Sequence, residues 1–212
     1  PLSAVIKTTE FHGVKLKVNP SVLSPRAESE ELVEYTTQNV QKSATVLDIG
    51  TGSGAIGLAI AKARPDLKIV LTDISSVALN LAKRNAKLNK LKNIEFITSN
   101  LFKKVDQSIL GRLPEKTYFI ANLPYVDRRW KDIDIKKLSF EPSTALFSTN
   151  NGLQIIYNFL NEISTKELLN NANWALIEHD PKQYQSIQIF CTRLDFKTEK
   201  ISNFVTLIKL KD

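Results

Sequence analysis

The chain has 212 residues, 42% of them hydrophobic and 24% charged, which suits one globular domain with a real core and excludes global disorder. A formal net charge of +7 favours acidic partners, yet the lysines are spread through the predicted helices and loops, so charge alone does not separate a nucleic-acid footprint from a solvated basic surface. The single cysteine, Cys191, excludes an internal disulfide, no apolar run is long enough for a membrane span and no signal-peptide pattern opens the chain, so a cytoplasmic, monomeric protein without a metal is expected.

The sequence starts at Pro1 and contains no methionine, so it reads as a possible fragment with residues missing ahead of Pro1. Residues 10–18 alternate apolar and polar around Gly13, the pattern of a β-hairpin. Ser24-Pro25-Arg26 leads into a predicted helix over 27–40, with Leu32, Val33 and Val40 on one face. From Thr45 strands and helices alternate. A strand over 45–49 precedes a helix over 53–64 that turns Ile56, Ile60 and Ala63 inward and stops before Pro65. A strand over 68–72 precedes a helix capped by Ser75 and carrying Val77, Leu79, Leu81 and Leu88. Strands over 93–98 and 118–121, a helix near 153–163, a strand over 174–177 and a helix near 184–193 follow, and strands over 196–201 and 205–210 close the chain. That order predicts an open, mostly parallel α/β sheet covered on both faces.

Val46 to Ala55 reads as the end of a strand, a glycine-rich turn and the start of a helix, with Gly50, Thr51, Gly52, Ser53 and Gly54 forming the turn. Glycines let the backbone turn sharply and let a ligand approach without meeting a Cβ. A turn after the first strand of such a sheet is where nucleotide-like ligands bind. Asp73, ending the second strand, can accept hydrogen bonds from both hydroxyls of a ribose. Gly50 to Ala55 also satisfies the dinucleotide fingerprint, so a nicotinamide cofactor is a rival reading. Asp48 argues against it: a carboxylate just before the turn is poorly placed near a pyrophosphate but suits the amino group of a methionyl cation.

This pattern resembles motif I of class I S-adenosylmethionine-dependent methyltransferases. The resemblance implies S-adenosyl-L-methionine as cofactor, the loop Gly50 to Gly54 as its cradle, and Asn100 and Leu101 beside the adenine; many relatives carry Asp where Asn100 stands.

Asn122-Leu123-Pro124-Tyr125 ends the fourth strand and resembles the Asn-Pro-Pro-Tyr motif of enzymes that methylate planar amino or amide nitrogens. Such a nitrogen has a delocalised lone pair and is a poor nucleophile. The Asn122 side-chain oxygen and a backbone carbonyl near Leu123 could each take one N–H, orient the nitrogen and stabilise the positive charge growing on it. Asn122 is therefore expected to face both cofactor and acceptor; Pro124 stiffens the loop and Tyr125 offers an aromatic face. No separate base is needed, because the proton can leave after transfer. His12 and His179 are read as surface or structural residues.

Nearly the whole chain resembles the catalytic domain of the HemK family, the protein-glutamine N5-methyltransferases that act on peptide chain release factors. Besides the two motifs above, the resemblance rests on Glu10-Phe11-His12-Gly13 with Val18-Asn19-Pro20, on Val22 to Glu30, similar to the family's Pro-Arg-Pro-Glu-Thr-Glu segment, on Phe140-Glu141-Pro142 with Ala145-Leu146 and Gly152-Leu153, and on Leu176-Ile177-Glu178-His179 with Gln183. It implies a class I methyltransferase fold: Rossmann-like, with a mostly parallel seven-stranded sheet, helices on both faces and a preceding β-hairpin. It also implies residues 1–26 as hairpin and lead-in, residues 27–212 as the catalytic domain, and a release factor as protein substrate. Leu123 in place of the first Pro of the acceptor motif, Ala27 and Ser29 in place of Pro and Thr, and the absence of the relatives' N-terminal helical domain are departures. Glu141 and Glu178 are expected to be structural.

The alternative is an RNA or DNA adenine-N6 methyltransferase, since Asn-Leu-Pro-Tyr also occurs in ribosomal RNA adenine dimethyltransferases. Those enzymes lack the Pro-Arg and Glu-Pro-Ser-Thr-Ala-Leu segments, so nucleic acid is possible but not favoured. A non-catalytic scaffold that kept the fold is disfavoured by Asp73 and Asn122 together.

Overall fold

A computed structural model describes residues 8–105, 116–131, 133, 141–169 and 174–211. The alternation around Gly13 closes an antiparallel hairpin, β1 (Thr8–Phe11) on β2 (Val14–Lys17), with Phe11, Val14 and Leu16 turned into the core. A 3-10 turn (Ala27–Ser29) opens α1 (Glu30–Asn39), so the first predicted helix starts in a tighter winding than expected. The β-branched and apolar runs then form β3 (Thr45–Ile49), β4 (Lys68–Asp73), β5 (Ile94–Thr98), β6 (Thr117–Ala121), β7 (Ala175–Glu178), β8 (Phe196–Lys200) and β9 (Val205–Leu210). They make one seven-stranded sheet in the order β5-β4-β3-β6-β7-β9-β8. The pairs from β5 through β7 are parallel, and β9 runs antiparallel to both β7 and β8.

The central strands of the sheet are buried on both faces. Along β3, Val46 joins one core and Leu47 the other; along β6, Tyr118 and Ile120 face one side while Phe119 and Ala121 face the opposite one. That period of two explains why these strands read as continuous apolar runs. Helices α1, α2 (Ala55–Ala63) and α3 (Ser76–Leu88) cover the first face. Helices α5 (Gln154–Thr165) and α6 (Tyr184–Arg193) cover the second, where Phe102 packs against Phe119 and Phe159. The short α4 (Ser143–Leu146) precedes α5.

Two expectations about helix faces are corrected. Ala63 is exposed at the end of α2, whose buried side carries Ile56, Leu58 and Ile60. On α3, Val77 and Leu88 are 50% and 43% exposed, while Ala78, Leu79, Leu81, Ala82 and Asn85 are buried. The small alanines let α3 approach the hairpin, and polar Asn85 replaces an apolar contact with a clamp. Its Oδ1 accepts the Lys17 N–H at 2.8 Å, and its Nδ2 donates to the carbonyls of Lys17 and Ser53 at 3.2 and 2.9 Å. A buried asparagine with all these partners is affordable, whereas one left unpaired would cost about 1–3 kcal/mol. The Ser75 cap forms as expected, its Oγ accepting the Ala78 N–H at 3.2 Å. No helix among the described residues is long and apolar enough to cross a membrane.

Candidate active site

The strand order diverges at β3: the chain moves to β4 and β5 on one side and to β6 and β7 on the other. The crevice at the carboxyl ends of these strands is the expected ligand position in such a sheet. The loop after β3 is tied to β4, because the N–H groups of Gly50 and Thr51 both donate to the Thr72 carbonyl at 2.9 and 2.8 Å. Gly54 caps α2 at φ 83°, a conformation that strains any L side chain, so glycine is required there. Asp73, at the end of β4, holds the loop from the side. Its Oδ2 accepts the Gly52 N–H and its Oδ1 the Ser75 N–H, each at 2.8 Å. Burial raises the pKa of this carboxyl against those two bonds. Each oxygen keeps a further lone pair for a ligand hydroxyl.

One cavity joins these groups. Gly50, Thr51, Gly52, Ser53 and Asp73 form one wall, Asn122 and Pro124 another, and residues 21–26 face Pro142, Thr144 and Ala145 across it. The last two segments are latched together: the Arg26 guanidinium donates to Glu141 Oε2, and the Ser24 N–H reaches Glu141 Oε1 at 3.3 Å. Glu141 thus supports the loop around the cavity, as expected of it.

Four polar side chains form a chain of hydrogen bonds that runs inward from the cavity, which Asn122 and Ser29 line. Asn122 Nδ2 donates to Ser29 Oγ at 2.9 Å, Ser29 Oγ donates to Glu178 Oε2 at 2.6 Å, and the Tyr125 hydroxyl donates to Glu178 Oε1 at 3.0 Å. Ser29 and Glu178 are 3% and 1% exposed. Burial raises the Glu178 pKa, opposed by the bonds from Ser29, Tyr125 and Asn122; burial, reinforced by the Glu178 charge, holds the Tyr125 phenol far above its ordinary value. Neither histidine belongs to this chain. His179, which burial holds below the ordinary histidine pKa, is bonded instead to the Asp180 carbonyl and the Thr206 hydroxyl.

The structure therefore brings Gly50, Thr51, Gly52, Ser53, Asp73, Asn122 and Pro124 to one cavity, with Gly54 just behind it. Five other expected site residues are off its wall: Asp48, Asn100, Leu101, Leu123 and Tyr125. Asp48, 1% exposed, turns away from the cavity: its Oδ2 accepts the Thr51 hydroxyl at 2.6 Å and the Gly57 N–H at 3.1 Å, bracing the loop against α2. Burial pushes its pKa up to about 6 despite those bonds. Asn100 is exposed beyond β5, and Leu101 packs into the second core instead of flanking the cavity. Leu123 also enters that core, so close beneath Gly50 that a Cβ there would lie 2.9 Å from its Cδ2. Tyr125 packs its ring against the same core and donates its hydroxyl to Glu178.

Sequence reasoning passed over three supports. In the sequence Ser29 stands only as a departure from the family's Thr. Gly152 and Gln183 were seen only as parts of a resemblance, yet both meet at the acceptor loop. Gln183 Nε2 donates to the carbonyls of Tyr125 and Asn151 at 2.9 and 2.8 Å, while Gly152, at φ 81°, leaves no room for a Cβ beside the Tyr125 carbonyl. Phe140 lies outside the described residues.

Residues 26–173 match the family described as Methyltransferase small domain. The chain is 38% identical over 199 residues to the release factor glutamine methyltransferase of Buchnera aphidicola subsp. Baizongia pistaciae, covering 92% of this chain and 68% of that one. With the release factor glutamine methyltransferase of Aliivibrio fischeri it shares 32% identity over 204 residues, 94% of this chain and 69% of the other. Among solved structures it resembles the ribosomal protein L11 methylase from Lactobacillus delbrueckii subsp. bulgaricus, with a TM-score of 0.64 over 93% of this chain and 86% of that one; at 18% identity this likeness speaks for the fold alone.

Proposed function

The chain belongs to the release factor glutamine methyltransferase family, and from that premise we propose that it transfers a methyl group from S-adenosyl-L-methionine to the side-chain amide nitrogen of a glutamine in the Gly-Gly-Gln tripeptide of a peptide chain release factor. The observation that carries this reading is the single cavity shared by the glycine loop, Asp73 and Asn122. Residues 27–212 act as the catalytic domain on this reading, and the protein works as a cytoplasmic monomer.

The residues present fit the cofactor. Gly50 to Ser53 offer a backbone wall, and the two Asp73 oxygens, each holding one backbone N–H, have lone pairs left for ribose hydroxyls. When bound, S-adenosylmethionine supplies an electrophilic methyl group on a sulfonium. Asn122 accepts one N–H of the glutamine amide and a backbone carbonyl near Leu123 accepts the other. These dipoles hold the nitrogen in line and offset the positive charge that develops on it, without reorganising during reaction. Pro124 restrains the loop, and segments 21–26 and 142–145 wall the cavity. The amide proton, acidified by methylation, leaves to solvent.

Asp73→Ala is expected to weaken S-adenosylmethionine binding about tenfold to a hundredfold, the loss of a charge-assisted hydrogen bond. Titration calorimetry on the folded variant checks this, and an unchanged affinity removes Asp73 from the cofactor site. The function is tested by incubating the protein with methyl-labelled S-adenosylmethionine and separate release-factor and ribosomal RNA pools. Label is expected in the protein pool; label in RNA adenine would transfer the case to nucleic-acid methylation.

A further inference from the structure

We propose that Ser29 and Glu178 are positioning residues: the buried chain Glu178–Ser29–Asn122 sets the rotation of the Asn122 carboxamide, so that its oxygen, not its nitrogen, faces the cavity. This deepens the reading above and rests on it for the identity of the acceptor.

The direction follows from counting donors. An ionised carboxylate can only accept. Glu178 Oε1 accepts from the Tyr125 hydroxyl, which stays protonated, so Oε2 must take the single proton of Ser29. Their separation of 2.6 Å is that of a charge-assisted O–H···O bond. Ser29 has then spent its only proton, and the group 2.9 Å away on Asn122 must be a donor. Only Nδ2 qualifies, and Oδ1, across the planar carboxamide, is left for the cavity that Asn122 lines. Three elements distant in sequence supply the parts: the 3-10 turn before α1, the loop after β6 and the end of β7. Without the carboxylate the chain loses its polarity. A neutral amide at 178 can donate to Ser29, which can then donate to Asn122 Oδ1 and occupy the acceptor the substrate needs.

A structural tie and a positioning device make different predictions. Ser29→Ala and Glu178→Gln should each lower kcat about tenfold while the cofactor Kd from calorimetry stays within about twofold of the parent, and Ser29→Thr, which keeps the hydroxyl, should restore kcat to within about threefold. A second readout needs no turnover. In 15N-labelled protein the Asn122 side-chain NH2 should show one slowly exchanging proton, lost in Ser29→Ala and retained in Ser29→Thr. Folding of each variant is checked by its amide spectrum. If Ser29→Ala and Glu178→Gln fold and keep parental kcat, or if the Asn122 protons exchange equally fast in the parent, the positioning role is overturned. A parent protein that fails to methylate a release factor but shows the protected Asn122 proton would sink the proposed substrate and leave this orientation standing.

Discussion

Replacing Asn122 by alanine is expected to lower turnover by about 10²–10³ while leaving the fold and most cofactor affinity in place. The side chain is partly exposed at the cavity wall and is held to Ser29, so its removal creates no large void in either core. What disappears is a dipole aimed at the position where charge develops, and such a dipole is worth about 2.7–4 kcal/mol in a water-poor site. Single-turnover kinetics at saturating cofactor separates this loss from weaker acceptor binding. Turnover within a few-fold of the parent would mean that the amide nitrogen is held by other groups.

Gly152→Ala is expected to destabilise the protein by roughly 2–5 kcal/mol, combining a left-handed backbone angle with overpacking. The position has φ 81°, and an added Cβ would stand 1.9 Å from the Tyr125 carbonyl oxygen and 2.6 Å from Gln183 Nε2. Neither neighbour can retreat freely, because Gln183 is buried and already bonded to Tyr125 and Asn151. Relief must come from the acceptor loop itself, so the activity of any folded fraction should fall as well. Urea unfolding measures the stability loss; a change under about 0.5 kcal/mol would show that the loop yields without cost.

The fold was legible because its signals are local. Strands buried on both faces read as apolar runs, glycines at positive φ interrupt them, and Ser75 caps its helix within one turn. Asp73 ends β4 and Asn122 follows β6, two positions that the sequence marks and that the sheet brings to one cavity. The supports of the site were not legible, since nothing in the spacing announces a bond between residues 29 and 178, or between residues 26 and 141. A carboxylate before a glycine turn, as Asp48 is, can face either way. The Thr51 hydroxyl and the Gly57 N–H draw it inward. Leu88 and Val77 stay exposed: an apolar residue on a helix carries no mark of which neighbour will cover it, and the covered face carries Ala78, Leu81, Ala82 and Ala86 instead. The family marks Gly152, Gln183, Glu141 and Glu178 gain a physical meaning only in three dimensions, where all four brace the walls or floor around Asn122.

Mass spectrometry of a release factor after reaction with this protein and S-adenosylmethionine tests the central claim most directly. A single added methyl group, placed by fragmentation on the side-chain nitrogen of the Gly-Gly-Gln glutamine and absent with Asn122→Ala, is the predicted result. An unmodified glutamine in a factor incubated beside RNA that acquires N6-methyladenine would contradict it.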